Sequence, residues 1–367
     1  MAGLVLVSLV GGFAFGAHTL TGRSGRGATV AVVKPVAKKN APVAKSFRNL
    51  PPEIRGVHVT MALASIPGKI DQYVALADEG LNTIELDVKD ENGEIGFIPA
   101  TVPLARAIGA AKSYYDPRAI ADKAHKEGLY LIGRVVTFED PVLSEKRPVL
   151  ALHNPDGSIW HNNAGLGWTN EYDRRVWKYV VDIGAAAARA GFDEIQFDYV
   201  RFPSDGDVSK IRYPVKTKEP KGWTIARFAH YATRRLHPLG VRVSLDVFGL
   251  AATRDLGIGQ KPGRLARYVD AVYPMVYPSH FYSGEYGLDD PNAAPGDTVD
   301  QALADFQEQL RGKKALLVPW LQDFSLGRTY SLADVRAQID AARGRGAAGF
   351  MLWNPLGLYT SGALSGT

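Results

Sequence analysis

The stretch GFDEIQFDYVRFP, residues 191–203, contains the junction that decides the fold. It follows an Ala-rich amphipathic stretch at 172–190, which predicts a helix, and it continues into a β-branched and aromatic run at 194–202, which predicts a strand. Gly191 separates the two, because glycine readily adopts the left-handed conformation that ends many helices. The same order recurs at Gly80, Gly128 and Gly346. The junction therefore predicts a repeated unit of helix followed by strand.

Working outward from this unit, eight β-rich segments alternate with helical ones. The predicted strands are 56–60, 83–89, 129–138, 194–202, 241–249, 271–278, 315–323 and 349–354. The predicted helices are 69–79, 117–127, 172–190, 223–236, 262–268, 298–311 and 331–344. Alternating strands and helices predict a parallel sheet, and eight units favour its closure into an α/β, single-domain (β/α)8 TIM barrel. The alternative, an open doubly wound sheet, usually shows fewer strands and a Gly-rich phosphate turn after the first.

Composition excludes several classes of function. The chain has 367 residues and no cysteine, which excludes disulfides and thiolate catalysis. Residues 1–50 hold seven basic residues and no acidic one, and removing these seven charges from the net +5 leaves residues 51–367 at −2. Because the basic character belongs to the N-terminal part, we expect no nucleic-acid binding. We expect a monomer.

The N-terminal residues predict a targeting segment rather than part of the fold. Residues 2–21 carry no Lys, Arg, Asp or Glu, and they are mainly apolar. This predicts a signal peptide or membrane anchor at 1–21, although Arg23 and Arg26 follow the apolar core instead of preceding it. Residues 22–52 predict a flexible basic linker, 53–360 the barrel and 361–367 a tail. We expect an extracytoplasmic protein, secreted or anchored at the cell envelope.

Acidic residues near the predicted strand ends point to the site. Active sites of such barrels lie at the carboxyl ends of the strands, and alternate residues face inward. Glycoside cleavage needs one carboxylate as nucleophile or base and a second, with a raised pKa, as acid. Asp198 and Asp246, on adjacent predicted strands, form the favoured pair, and Asp323 completes the predicted catalytic set. The alternative for each carboxylate is an internal ion pair with Lys89, Arg134 or Arg201.

Further residues near the strand ends predict a sugar-binding cleft. Pyranose faces stack on aromatic rings, and polar side chains bind the hydroxyl groups. The predicted substrate-binding residues are Glu85, Asp87, Lys89, Arg134, Gln196, Arg201, Tyr277, His280, Trp320 and Trp353. Long loops at 139–171, 203–222 and 279–297 are expected to form the walls.

The sequence predicts neither a metal nor a cofactor. His58 lacks the second histidine of a His-x-His motif, and the chain contains no His-Glu-x-x-His motif. It also lacks the Gly-x-Ser-x-Gly elbow of many serine hydrolases.

Five motifs together resemble a bacterial family described as a putative glycosyl hydrolase domain, over residues 53–360. They are LDVKD at 86–90, GFDEIQFDYVRFP at 191–203, DVFG at 246–249, YPMVYPSHF at 273–281 and FMLWNP at 350–355. The resemblance implies a TIM barrel distantly similar to the α-amylase clan. It also implies that Asp198 is the nucleophile, Asp246 the acid and Asp323 a helper.

The sequence departs from the clan's pattern at three places. Asp246 stands where the amylases use Glu, Gln196 stands where they have Arg, and no His precedes Asp323. From the motifs, the acidic strand ends and the apolar N-terminal segment together, we expect a glycoside hydrolase. We expect it to act on an extracellular or cell-envelope polysaccharide by a two-carboxylate mechanism. The alternative is a non-catalytic carbohydrate-binding barrel in cell-wall or spore-coat assembly. A hydrolase of amide or ester bonds is a third hypothesis.

Overall fold

A ring of parallel strands forms the centre of the computed structural model, which describes residues 46–365. The strands are β1 (Ile54–Val59), β2 (Thr83–Lys89), β3 (Tyr130–Val136), β4 (Glu194–Asp198), β5 (Arg242–Phe248), β6 (Ala271–Met275), β7 (Leu316–Leu317), β8 (Trp320–Gln322) and β9 (Gly349–Trp353). β1 pairs with both β2 and β9, and β5 pairs with β6, so the ring is closed. The predicted (β/α)8 barrel is confirmed.

The seventh position of the barrel differs from the prediction in one detail. The predicted strand 315–323 forms two short segments, β7 and β8, which both pair with β6. Pro319 lies between them, and proline has no backbone N–H to donate to a neighbouring strand. The two segments together therefore fill one position, and the barrel keeps eight.

Helices surround the ring on its outside. They are α1 (Met61–Ala64), α2 (Lys69–Ala75), α3 (Pro103–Ala107), α4 (Pro117–Lys126), α5 (Pro141–Lys146), α6 (Arg174–Ala190), α7 (Lys221–Leu236), α8 (Pro262–Leu265), α9 (Pro295–Leu310) and α10 (Leu332–Gly344). All seven predicted helices are present, with α8 reduced to one turn. Within residues 46–365, none of the helices combines the length and the apolar character needed to span a membrane. The predicted targeting segment and most of the predicted linker lie outside the described residues.

The alternation of side chains along each strand separates two layers of packing. On β5, Val243, Leu245 and Val247 are buried in the large core between the ring and the helices. A smaller cluster, which includes Tyr130, Tyr273 and Met351, fills part of the barrel interior. Polar side chains of the same strands face inward, and this arrangement presents them at the carboxyl end of the ring.

Gly191 and Gly128 both end helices and both have positive φ, but their surroundings differ. The φ angle is 116° at Gly191 and 75° at Gly128. A Cβ added to Gly191 would lie 3.0 Å from the Cβ of Ala121, whereas nothing lies within 4 Å of one added to Gly128. We expect Gly191→Ala to lower the free energy of unfolding by about 2–3 kcal/mol and Gly128→Ala by about 1 kcal/mol. Denaturant unfolding of both variants checks this, and equal losses would contradict it.

Candidate active site

One cavity opens at the carboxyl end of the barrel. Its volume is about 690 Å³, which is within the usual range for small-molecule sites. Residues of β3, β4, β5, β6, β8 and β9 line it, together with loops that follow β4, β5 and β6. The loop after β3 was expected to form a wall, but none of its residues lines this cavity, because its strand-like pairs, such as Glu139 with Trp168, fold it upon itself.

Asp198 ends β4 and is held by Arg134 of β3. The Nε and Nη2 atoms of Arg134 donate to one carboxylate oxygen of Asp198, at 3.0 and 2.7 Å. The other oxygen accepts from the backbone N–H of Tyr199 at 2.6 Å, and Tyr199 has a φ of 49°, which is uncommon for a non-glycine residue. The side chains of Asp198 and Arg134 both line the cavity. These contacts fix the orientation of the carboxylate.

Arg134 also connects Asp198 to a buried line of charges that crosses the barrel. Its Nη1 atom donates to Asp87 at 2.7 Å, and the other oxygen of Asp87 lies 3.6 Å from Nε2 of His58. Nδ1 of His58 contacts Glu85 at 2.5 Å. The line therefore runs Glu85, His58, Asp87, Arg134, Asp198, and neighbouring groups have opposite charges.

The line of charges shifts the pKa of His58 and of Asp87. Burial alone would lower the pKa of His58, but the charges of Asp87 and Glu85 raise it to about 9. Burial would raise the pKa of Asp87, yet the positive charges of His58 and Arg134 hold it at about 2. His58 is therefore cationic and Asp87 anionic at neutral pH, and each stabilises the charge of the other.

Asp246 of β5 has a different environment from Asp198. One of its oxygens accepts a 2.7 Å hydrogen bond from Nε1 of Trp320 and also accepts from the amide of Gln196. Burial raises the pKa of Asp246 well above its usual range, and the charges of Asp198 and Glu85 add to that rise. The register places Asp198 and Asp246 at the same level of adjacent strands, since Phe197 pairs with Leu245 immediately before them. Asp246 therefore favours the protonated form next to the ionic pair of Asp198 and Arg134.

Aromatic and apolar side chains form the walls. Tyr277, Trp320 and Trp353 line the inner part of the cavity, and the ring of Trp353 lies 4.4 Å from that of His58. Tyr282 lines the cavity too, although 73% of its surface is exposed. Such faces, next to polar groups, can contact a sugar ring on one side and its hydroxyls on the other.

The structure brings most of the predicted site residues together. The following line the cavity: Arg134, Asp198, Arg201, Asp246, Tyr277, His280, Trp320 and Trp353. Glu85, Asp87 and Gln196 lie beneath them and contact His58, Arg134 or Asp246.

Lys89 and Asp323 do not line the cavity. The register between β2 and β3 shifts between Asp87 and Lys89, and the Lys89 ammonium lies 3.1 Å from Asp140 in a fully buried pair. Such a bulge redirects the side chains that follow it. Asp323 accepts from the hydroxyl and the backbone N–H of Thr360, at 2.5 and 2.8 Å. It thereby holds the segment after β9 to the barrel.

Among the residues that were not predicted from the sequence, His58 and Glu139 lie next to the charged groups of the site. His58 has the inward parity of β1, between Val57 and Val59, and this signal was available. Glu139 follows the end of β3, where burial, opposed by the charge of Arg201, raises its pKa to about 7. Glu139 directly follows the predicted strand 129–138, and this position could have indicated that it lies near the site. In residues 46–365, no group of His, Asp and Glu side chains is arranged to hold a metal ion.

The chain belongs to the family described as a putative glycosyl hydrolase domain, which matches residues 56–359. This membership places it among the glycoside hydrolases. No protein with a curated description matches the chain.

Solved structures resemble the barrel. A hypothetical protein from Ruminiclostridium thermocellum is 35% identical, over 52% of this chain and 97% of that one, with a TM-score of 0.48. The glycoside hydrolase domain of PgaB (BpsB) from Bordetella bronchiseptica is 14% identical over 83% of this chain and 94% of that one, with a TM-score of 0.60. The catalytic domain of the β-amylase from Paenibacillus polymyxa is 13% identical over 85% and 95%, with a TM-score of 0.54. At 14% and 13% identity, the similarity to the PgaB domain and to the β-amylase domain supports the barrel fold alone.

The raised pKa of His58 predicts a loss of stability at alkaline pH. Its pKa is about 9 in the folded protein and 6.5 ordinarily, so its charge stabilises the fold fully below about pH 6.5, and the contribution is lost as the pH rises through 9. We expect the free energy of unfolding to fall by on the order of 3 kcal/mol over this window because of His58. Urea unfolding between pH 6 and 10 should show a smaller decline for His58→Gln than for the wild type. His161→Gln, at an exposed position, serves as the control, and an unchanged decline in His58→Gln would contradict the assignment.

Proposed function

We propose that the protein hydrolyses a polysaccharide by a two-carboxylate mechanism in which Asp198 and Asp246 carry out the chemistry. The observation that carries the proposal is the contrast between the two side chains within one cavity. Asp198 forms an ion pair with Arg134, whereas burial raises the pKa of Asp246. Glycoside cleavage requires one carboxyl group that can donate a proton and a second that acts as a carboxylate.

Each carboxyl group has one role in the proposed reaction. The protonated Asp246 donates its proton to the glycosidic oxygen as the bond from that oxygen to the anomeric carbon breaks. The Asp198 carboxylate serves as the nucleophile and forms a bond to the anomeric carbon. Water then breaks this bond and releases the sugar, as the Asp246 carboxylate takes a proton from the water and both side chains return to their starting forms. Arg134, with two N–H groups on Asp198, positions the carboxylate.

The proposed substrate is a chain of sugars rather than a small glycoside. Support comes from the aromatic lining, which extends from buried Trp320 to exposed Tyr282 at the cavity mouth. Tyr277, His280 and Trp353 are proposed to contact the sugar directly. For Asp323 we propose a positioning role through Thr360, since its carboxylate is engaged there.

The contrast between the two carboxyl groups predicts different defects in their variants. Asp198→Asn should lower kcat by about a thousandfold or more on every substrate, because it removes the nucleophile. Asp246→Asn should be comparably defective on natural glycans but retain activity on aryl glycosides whose leaving groups need no proton. The alkaline decline of kcat/KM in the wild type should also be absent from Asp246→Asn on these substrates, because the raised pKa of Asp246 governs it.

The control for these measurements is Asp300→Asn, which breaks a surface pair with Arg345 outside the cavity. It should retain wild-type rates. Full activity of Asp198→Asn would contradict the mechanism. Glycan binding that survives in both carboxylate variants, with no turnover by the wild type, would instead favour the non-catalytic carbohydrate-binding barrel.

We also propose that the enzyme acts outside the cytoplasm, on an extracellular or cell-envelope polysaccharide. The support is the apolar, uncharged stretch at residues 2–21 and the basic residues that follow it. In a bacterial host, the full-length chain should fractionate outside the cytoplasm or with the membrane, whereas a chain lacking residues 2–21 should remain inside. Equal cytoplasmic amounts of the two chains would contradict this localisation.

A further inference from the structure

Arg201 is a buried cation that lines the cavity, and within the described part of the chain it forms no ion pair. Only 5% of its surface is exposed, and no carboxylate among residues 46–365 lies within 4.0 Å of its guanidinium. The other two arginines that line the cavity differ in this respect. Arg134 pairs with Asp87 and Asp198, and Arg254 pairs with Glu285 at 2.7 Å. Of the three arginines that line the cavity, Arg201 is therefore the one that has no carboxylate of the described residues within ion-pair distance.

Aromatic rings hold the Arg201 guanidinium in place. Its central carbon lies 5.0 Å from the ring centre of Trp168, 5.1 Å from that of Tyr199 and 4.7 Å from that of Phe248. These contacts orient the planar group and stabilise its charge. The position of the guanidinium is therefore set before any ligand arrives.

Much of the hydrogen-bonding capacity of Arg201 is unused. Nη1 donates to the backbone oxygen of Phe202 at 3.2 Å and to the hydroxyl of Ser204 at 3.0 Å. Nε and Nη2 have no acceptor among the described residues, and neither atom belongs to the fully enclosed polar atoms. Two nitrogen atoms of the planar guanidinium therefore remain without an acceptor from the described residues.

Nearby acids do not neutralise Arg201 completely. Glu139, Asp198 and Asp205 act on it only from beyond ion-pair distance. Asp198 is engaged by Arg134, and the pKa of Glu139 is about 7, chiefly because of burial. A cation withdrawn from water without a partner is costly, and such sites are favourable places for an anionic ligand.

We propose that Arg201 binds an anionic group on the sugar, so that the substrate is an acidic glycan. The group is an oxyacid, either a uronic carboxylate or a sulfate or phosphate ester, since arginine binds all three through parallel N–H donors. Arg201 lies three residues after Asp198, and both line the same cavity, so the anion is on the sugar bound at the cleavage site or on its neighbour. This inference rests on the proposed function, because it names the substrate class of that site.

The test measures binding to matched acidic and neutral glycans, in the full-length Asp198→Asn background so that turnover does not interfere. The pairs are hyaluronan oligosaccharides and their carboxyl-reduced forms, dextran sulfate and dextran, and phosphomannan and mannan. We expect the acidic member of at least one pair to bind at least tenfold more tightly at 150 mM NaCl. The pair that shows this preference identifies the kind of anion.

Three added variants assign the preference to Arg201. Arg201→Met, which keeps an apolar stem against the rings, should weaken acidic binding at least tenfold and leave neutral binding within threefold. Arg201→Lys should restore part of the preference, because it keeps the charge but not the fork. Arg264→Gln removes a guanidinium that lies 3.9 Å from the ring of Trp223 outside the cavity, and it should change neither. Non-specific attraction by the basic N-terminal residues is the same in all variants and cancels.

Two results would overturn the proposal. One is equal binding of the acidic and neutral members of every pair, including no detectable binding of either. The other is an acidic preference that Arg201→Met leaves intact. Both are distinguishable from failure of the proposed function, because hydrolysis of a neutral glycan through Asp198 and Asp246 would refute only the acidic substrate. Acidic binding through Arg201 without turnover by the wild type would refute only the catalysis.

Discussion

The ion pair between Arg134 and Asp198 is the interaction on which the rest of the site depends. Arg134 extends from β3 and joins Asp198 of β4 to Asp87 of β2. Each of these charges is buried, and burial of an unpaired charge costs several kcal/mol. The alternation of sign from Glu85 to Asp198 offsets that cost, because every charge has an opposite neighbour. Loss of one member would leave its neighbours unpaired, so the line holds the catalytic end of the barrel as a unit.

The same barrel interior gives its two catalytic candidates opposite chemistry. Asp198 lies at the end of the line of charges, with three N–H donors. Asp246, one strand away, accepts from neutral donors of Trp320 and Gln196 and lies close to other negative charges. Like charges at close range cannot both ionise without a large cost, so the proton stays on the residue that lacks a cation. Neighbours on other strands, and not residue type, therefore support the different roles that we propose for the two aspartates.

The walls of the cavity add recognition to this chemistry. Loops after β4, β5 and β6 line the cavity, and those after β4 and β6 carry aromatic rings. Arg201, which has no ion-pair partner among residues 46–365, follows β4, so the cavity combines apolar faces with a fixed positive charge. The barrel strands hold the two proposed catalytic carboxyl groups, and the loops form the walls around them. Substrate choice can therefore change through the loops without disturbing the line of charges beneath.

The sequence by itself determined the repeated helix–strand unit, the barrel and the strand ends that carry Asp198 and Asp246. These features are local, because the period of two along a strand and the glycine at a helix end can be read from adjacent residues. Eight of the predicted site residues line the cavity, and inward parity would also have indicated His58.

Only the tertiary structure decided which groups form ion pairs and hydrogen bonds with the charged side chains. Lys89 has inward parity in the sequence, but a bulge turns it to Asp140, and Asp323 binds Thr360, 37 residues further along the chain. Arg201 could have paired with an acid, and the fold instead surrounds it with rings. The physical reason is that an ion pair forms only between groups within a few ångströms of each other. Closure of the barrel decides which strands and loops come that close, and the sequence pattern of one segment does not contain that information.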